Sequence, residues 1–295
     1  MSPAKQVRSS FDGDDFDNIL NFRDVGRTIN DFLRRRTIKE GLLFRSARPD
    51  EATPRDKQLL KDLFGIKIII DLRTKTEHIN AAKKREVNLK DGGDHVFVEP
   101  LKIPGIGYLE IKLTGRRFEL FLLRKLSWWG FVKFLALFLL GFRMKAISVL
   151  GREVMLPRGL VGLGLDTLDH SGPEISETLN ALLQPGSLPA LVHCTQGKDR
   201  TGIIIILVLL ILGIPPDAID YDYRLSDEAL LPEKEARLAE IREIGLTDDW
   251  GETSRELVER SIEHLHSRYG GIDNYLDGIG FGQTQRNRLR ELLHY

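Results

Sequence analysis

The 295-residue sequence predicts an α/β fold with buried parallel strands. Two observations carry that prediction. A capped-helix signal near residue 53 leads into IKIIIDLR (66–73), a β-branched run of the kind buried in parallel sheets. A second short apolar strand, PALVHC (189–194), passes through a polar loop into the wholly apolar TGIIIILVLLILGIPP (201–216). A strand fed by a helix, and a helix fed by a strand, are the units from which α/β layers are built.

Each element follows from local signals. Residues 1–18 read as a flexible N-terminal arm, and residues 19–295 as a single domain with a helical insert at about 110–155. From Asn21 to Asp50 the chain reads as short elements separated by turns. Thr53 and Pro54 stand where an N-cap and a first-turn proline belong, and Gly65 closes that helix. Residues 80–100 are polar, with a short strand expected at HVFVEP (95–100). The stretch GLVGLGLDTLDH (159–170) reads as a glycine-containing loop able to move. Ser171 and Pro173 then start a helix running to about Leu183. Ile203–Leu212, closed by Gly213 and two prolines, reads as a fully buried helix, and 217–295 as polar helices.

Composition excludes several classes. Hydrophobic residues at 42% and charged residues at 29% suit a folded core, which excludes global disorder, a collagen-like fibre or a disulfide-stapled scaffold. The lone cysteine, Cys194, can form neither an internal disulfide nor a thiolate zinc cluster. No metal and no cofactor is expected. With 43 basic and 43 acidic residues the chain gives no reason to expect nucleic acid as a partner. The polar, acidic N-terminus has no apolar core, so a reducing, cytoplasmic setting is the expectation.

The neutral total hides a polarised distribution. Between Lys102 and Arg158 stand eleven basic residues and three acids, so that stretch carries about +8 and the remainder about −8. Its apolar centre, Trp128–Phe142, is 15 residues long and contains Lys133, whereas a membrane-spanning helix needs about 20. Residues 117–150 therefore read as a helical pair packed on the domain or as an amphipathic helix making peripheral membrane contact. A basic, aromatic-rich surface suits anions or lipids.

The chemistry concentrates in His193-Cys194-Thr195-Gln196-Gly197-Lys198-Asp199-Arg200-Thr201-Gly202. A loop between a buried strand and a buried helix receives backbone N–H groups and the positive end of the helix dipole, an anion site that also favours a thiolate at Cys194. Thiolate is the nucleophilic form. Arg200 offers a planar fork for two phosphoryl oxygens. Thr201 could donate its hydroxyl to the sulfur, and Lys198 would add a second positive charge beside a phosphate. His193 would tune the cysteine through hydrogen bonds. As a small buried hydrophobe alone, Cys194 would need none of these neighbours.

HCTQGKDRTG resembles the HCxxGxxRTG signature of the cysteine-dependent protein tyrosine phosphatases, and more narrowly the HCxxGKDRTG of microbial tyrosine phosphatases of broad specificity. NFRDVG (21–26), LFRSARP (43–49), DLRTKTEH (71–78) and YGGIDNYLDGIG (269–280) are similar to that subfamily too. The resemblance implies a central, mostly parallel sheet flanked by helices, with a helical lid insertion that the 117–150 segment resembles. It implies hydrolysis of phosphate monoesters through a phosphocysteine on Cys194. Arg200 and the loop residues Thr195, Gln196, Gly197, Lys198, Thr201 and His193 would hold or tune the phosphate, with no metal.

The general acid stays open between Asp199, inside the loop, and Asp169 or Asp166, in the glycine-containing stretch upstream. Of Arg23, Arg45, Arg48 and Arg73, one or two would brace the loop or Asp199. The substrate is expected to be phosphotyrosine protein with dual specificity. The alternatives are a phosphoinositide phosphatase docking on membranes through the insert, and an inactive phosphate-binding module. A rhodanese-like sulfurtransferase fits the KDRTG continuation poorly.

Overall fold

In sequence order, β1 is Arg23–Asp24, β2 Leu43–Ser46, β3 Ile68–Asp71, β4 Gly107–Glu110 and β5 Ala190–His193. The computed structural model describes residues 16–90 and 102–295. Among the described residues these strands form one sheet in the order β1-β2-β5-β3-β4, antiparallel only between β1 and β2. The mostly parallel sheet flanked by helices is thus present. The strand expected at 95–100 and residues 1–15 of the expected arm lie outside the described residues. Residues 16–18 of that arm are packed: Phe16 is buried against Phe22, and the amides of Asp17 and Asn18 bond the Asp56 carboxylate at 2.8 and 3.0 Å.

The alternation of side chains along each strand divides the core in two. Leu43, Ile70, Ala190 and Val192 face one cluster, centred on the helix Asp199–Ile211, which is apolar on every side and buried almost throughout. Phe44, Ile69 and Leu191 face the other, an aromatic layer with Phe16, Phe22 and Phe64. A period of two on a sheet covered on both faces produces this division. Each fully buried Ile, Leu or Val contributes about 1.5–3 kcal/mol. The central strand β5 is therefore fixed from both sides, and the loop that follows it starts from a rigid base.

Several local signals act as read. Thr53 caps Pro54–Gln58 in a full capping box with Asp56, the helix continues as a wider π turn over Leu59–Leu63, and Gly65 takes φ +63° just beyond it. Helix Gly172–Ala181 has Pro173 in its first turn, although the Ser171 side chain makes no cap hydrogen bond. Elsewhere the structure differs. The stretch 159–170 is not a loop: Leu156–His170 is helical, kinked at Gly159 (φ 67°). Gly164 serves packing, since a Cβ there would meet Leu257 at 2.6 Å, while Gly159 has open space and permits the kink. Polar residues 75–90 are also helical.

The insert comprises helices Arg116–Lys125, Trp128–Leu139 and Arg143–Leu150. Ser127 caps the second by accepting from the Gly130 amide at 3.0 Å, and its own hydroxyl donates to Glu153 at 2.8 Å. No helix among the described residues is long and apolar enough to cross a membrane.

Candidate active site

Cys194 directly follows β5 and is buried, and the loop Thr195–Lys198 carries the chain to the helix beginning at Asp199. The loop is held by its carbonyls. Asn21 donates to the Gln196 carbonyl at 2.9 Å, and the Arg48 amide to that of Thr195 at 3.1 Å. One Arg45 nitrogen reaches the carbonyls of Gly197 and Lys198 at 2.7 and 3.3 Å. No acceptor among the described residues takes the backbone N–H groups of Thr195, Gln196, Gly197 and Lys198. A turn with occupied carbonyls and unclaimed amides, at a helix N-terminus, is an anion nest. Gly197 makes the turn possible: its φ is +63°, and a Cβ there would lie 1.9 Å from the Ser46 carbonyl oxygen.

Behind the loop lies a buried charge cluster. Asp222, 1% exposed, accepts from Arg45 and, at 2.8 Å, from Arg23. Arg23 also bonds Asn21, the residue that holds the Gln196 carbonyl. Burial, with Arg45 adding to it, brings the Arg23 guanidinium down to about 10 against the pull of Asp222. Burial pushes the Asp222 carboxyl up, but its two arginines prevail and hold it below its ordinary value.

Arg200, which closes the loop, is gripped by Glu77 through two bonds, at 2.8 and 2.5 Å, and Thr195 donates its hydroxyl to the same carboxylate. Burial alone would raise Glu77, yet the Arg200 charge and hydrogen bonds, with the Thr195 hydroxyl, hold it well below the usual carboxylate range. The guanidinium is thereby fixed in orientation, with its face and remaining donors set by a partner outside the loop. Glu77 also makes a capping box with Thr74 at the start of its own helix.

His193 sits fully inside, its Nδ1 3.2 Å from the Cys194 carbonyl and its Nε2 3.6 Å from Asp71. Burial lowers the imidazole below its ordinary value, against the pull of Asp71, so it is neutral at pH 7; Nδ1 then carries the proton that the carbonyl accepts. Asp71 in turn binds Arg73, which spans to Asp50 at 2.8 and 2.5 Å.

The remaining expected residues fall in distinct places. Thr201 is completely buried, and its hydroxyl has no hydrogen-bond partner among the described residues. Lys198, expected to face the phosphate, instead buries its ammonium against the carbonyls of Trp250 and Glu252 at 3.0 and 2.6 Å, leaving its backbone N–H to the loop. Asp199 keeps 42% of its side chain exposed and accepts from the Tyr223 hydroxyl at 3.3 Å. Asp166 and Asp169 lie on the helix Leu156–His170 rather than on a mobile loop. Asp166 is paired with Arg158; Asp169 is held by His264 at 2.7 Å, Tyr269 at 2.6 Å and Arg268 at 3.1 Å. All four N-terminal arginines are engaged, Arg48 with Glu240 at 3.2 Å.

A cleft of about 220 Å³ opens beside the loop, lined by Arg48, Arg73, Glu77, Thr195, Glu240 and, from the insert, Met144. A larger cavity of about 550 Å³ lies at the other end of the parallel strands, where Lys67 and Pro189 precede β3 and β5, and contains none of the loop residues. The chemistry points to the smaller one.

With this geometry in place, comparison with known proteins is decisive. The model of the tyrosine phosphatase family matches residues 15–295. The chain belongs to the tyrosine phosphatase family. A tyrosine-protein phosphatase of Nostoc commune is 30% identical over 166 residues, 50% of this chain and 56% of the relative. The triple specificity protein phosphatase PtpB of Mycobacterium tuberculosis is 30% identical over 121 residues, 36% and 44% of the two chains. The chain spans about half the length of these two relatives. A Cupriavidus necator protein whose name places it among the tyrosine-protein phosphatases is 24% identical over 267 residues, 88% of this chain and 81% of its own.

Sequence reasoning named the loop but gave no role to Glu77, Asp222, Asn21 or Tyr223. Glu77 and Asn21 lie inside the family-like strings. Asp222 and Tyr223 sit in PPDAIDYDYRLSDEAL, where acidic residues on a polar helix give no sign that one of them is buried.

Proposed function

We propose that this member of the tyrosine phosphatase family hydrolyses phosphate monoesters through a phosphocysteine on Cys194, with phosphotyrosine proteins as substrates and dual specificity. The observation that carries this is the loop itself: its carbonyls are occupied and its amides unclaimed between Cys194, at its start, and an Arg200 held by Glu77, just past its end. The amides and the guanidinium would take the equatorial phosphoryl oxygens while the sulfur attacks phosphorus and the ester P–O bond breaks. Water would then cleave the S–P bond, returning the thiolate and releasing inorganic phosphate.

We assign the proton for the leaving oxygen to Asp199. Its carboxylate stands where the loop meets the helix and stays 42% exposed, with one oxygen 3.7 Å from the Lys198 ammonium and 3.3 Å from the Tyr223 hydroxyl, whereas Asp166 is paired with Arg158 and Asp169 is held by His264, Tyr269 and Arg268 together. Phosphoinositide hydrolysis at a membrane is a second reading, favoured by the basic, apolar insert that reaches the cleft through Met144. An inactive phosphate-binding module is disfavoured by the presence of both Cys194 and Arg200. A nucleophilic thiol also suits the reducing cytoplasm.

The test is Cys194→Ser, expected to lower turnover of p-nitrophenyl phosphate by at least about 10⁴-fold while tungstate still binds. Turnover near the wild-type rate would remove Cys194 from the mechanism. Asp199→Asn should slow esters with poor leaving groups far more than p-nitrophenyl phosphate, and Asp169→Asn should not; the reverse pattern would move the acid to Asp169. Activity is expected to survive excess chelator.

A further inference from the structure

The insert exposes apolar surface on a scale that the rest of the protein does not. Of the fifteen large hydrophobic side chains exposed among the described residues, ten lie between Leu120 and Phe142. Trp128 and Trp129 are 73% and 78% exposed, and Leu139 and Leu140 are 76% and 71% exposed. Only Gly130 is buried in the helix Trp128–Leu139. Patches of this kind mark interaction sites.

The charge around the patch identifies the partner. From Leu120 to Arg152 there is no acidic residue, while Arg124, Lys125, Lys133, Arg143, Lys145 and Arg152 are all cationic. Cations and apolar side chains are interleaved: Lys125 lies over Phe121, Arg143 over Phe138, and Lys145 over Phe142, at 5.4, 5.8 and 5.2 Å. A second copy of the chain would bring six positive charges against six. An anionic lipid surface complements both features, because acyl chains take the apolar side chains and headgroups take the cations. The helix Trp128–Leu139, 12 residues and so about 18 Å long, is too short to span a bilayer and suits lying in its interface.

We infer that the helical hairpin 128–150 docks the protein on anionic bilayers, its tryptophans and leucines buried at the headgroup level, with the active-site cleft next to the membrane. One contact gives that orientation. Met144, on the hairpin, lines the cleft with Glu77 and Thr195, and the Asn80 amide lies 3.3 Å from its sulfur. The hairpin is also seated firmly, since a Cβ on Gly151 would lie 2.0 Å from the Ile244 carbonyl oxygen. This deepens the membrane reading above and rests on it for the partner, not for the ester hydrolysed.

The experiment is co-sedimentation of the full-length protein with vesicles of phosphatidylcholine alone or with 30% phosphatidylserine, alongside tryptophan quenching by brominated lipid. Binding is expected only with the anionic vesicles and should weaken steeply with salt. Trp128 and Trp129 should be quenched while buried Trp250 is not. Lys133→Gln, Arg143→Gln and Lys145→Gln together should weaken binding roughly a hundredfold, at about fivefold per charge. Leu139→Ser with Leu140→Ser should abolish quenching, and all these variants should keep wild-type turnover of p-nitrophenyl phosphate.

Failure of the wild-type protein to prefer anionic vesicles overturns the proposal, as does binding unchanged in the variants. A concentration-dependent dimer abolished by Leu139→Ser would assign the face to a second copy instead. Because the vesicles carry no phosphoinositide, docking and lipid hydrolysis succeed or fail separately; the latter is read by phosphate release from phosphoinositide vesicles.

Discussion

The signature loop and the helical insert treat water in opposite ways. Behind the loop, charged groups are withdrawn from solvent and matched: Arg45 and Asp222 are both 1% exposed in their side chains, and Lys198 is completely buried on two carbonyls. In the insert, aromatic and aliphatic side chains stand in solvent beside unburied cations. A buried charge is tolerable only with a partner, and truncating one member of such a pair leaves the other uncompensated. An exposed leucine has little to lose on substitution. The two regions therefore differ in which property each residue controls: stability and chemistry near the loop, association in the insert.

The contrast is broken most severely at Asp222. Asp222→Ala strands Arg23 and Arg45 in the interior and releases the carbonyls that Arg45 holds, so the expected loss is about 3–5 kcal/mol, measured by urea unfolding. A loss under ~1 kcal/mol would mean that the cluster is not the loop's scaffold. Next comes Arg200→Lys. A lysine supplies charge without the fork, so kcat should fall about 10²–10³-fold with only a small change in melting temperature. Equal activity would show that charge alone suffices.

How much of this was legible follows the same division. The sheet was readable because IKIIIDLR and PALVHC are β-branched or aliphatic runs that only a covered strand accommodates, and β3 and β5 form there. Cys194 and Arg200 were readable because both lie within one short string. Arg200's partner was not, since Glu77 is more than 100 residues away, and TKTE by itself signals only a helix start. The stretch 159–170 misled because glycines that serve close helix packing look the same in sequence as glycines that permit a loop. Lys198 misled because a lysine in a polar loop is ordinarily solvated, and only the fold places the Trp250 and Glu252 carbonyls against it.

Acid should expose the buried charges. Glu77, Asp222, Asp71 and Asp50 are each held below their ordinary values against burial, Glu77 by Arg200 and Thr195, Asp222 by Arg23 and Arg45, and Asp71 and Asp50 by Arg73 and, in acid where its ring is protonated, by His193. For carboxylates so depressed, the stabilisation is complete above the unfolded values near 4 and is lost as pH falls toward the folded ones. The melting temperature should hold from pH 8 to about 5 and drop below that. Glu77→Gln should flatten part of the acid limb and cost roughly 1–3 kcal/mol at pH 7, since Arg200 keeps a neutral acceptor. A profile unchanged by that variant would take the pair out of the stability balance.

The smallest effect tests the other side of the comparison. Leu139→Ser and Leu140→Ser replace side chains that are 76% and 71% exposed, so each should shift stability by no more than about 0.5 kcal/mol. Leu209→Ala, in a helix where that leucine is wholly buried, should cost about 2–5 kcal/mol. Urea unfolding of the three variants reads both numbers on one scale. If the two insert leucines cost as much as Leu209, they pack against protein in solution, and the insert is part of the folding core. If they cost almost nothing, an apolar surface of this size is kept without any return in stability, and what retains it is contact with something outside the chain.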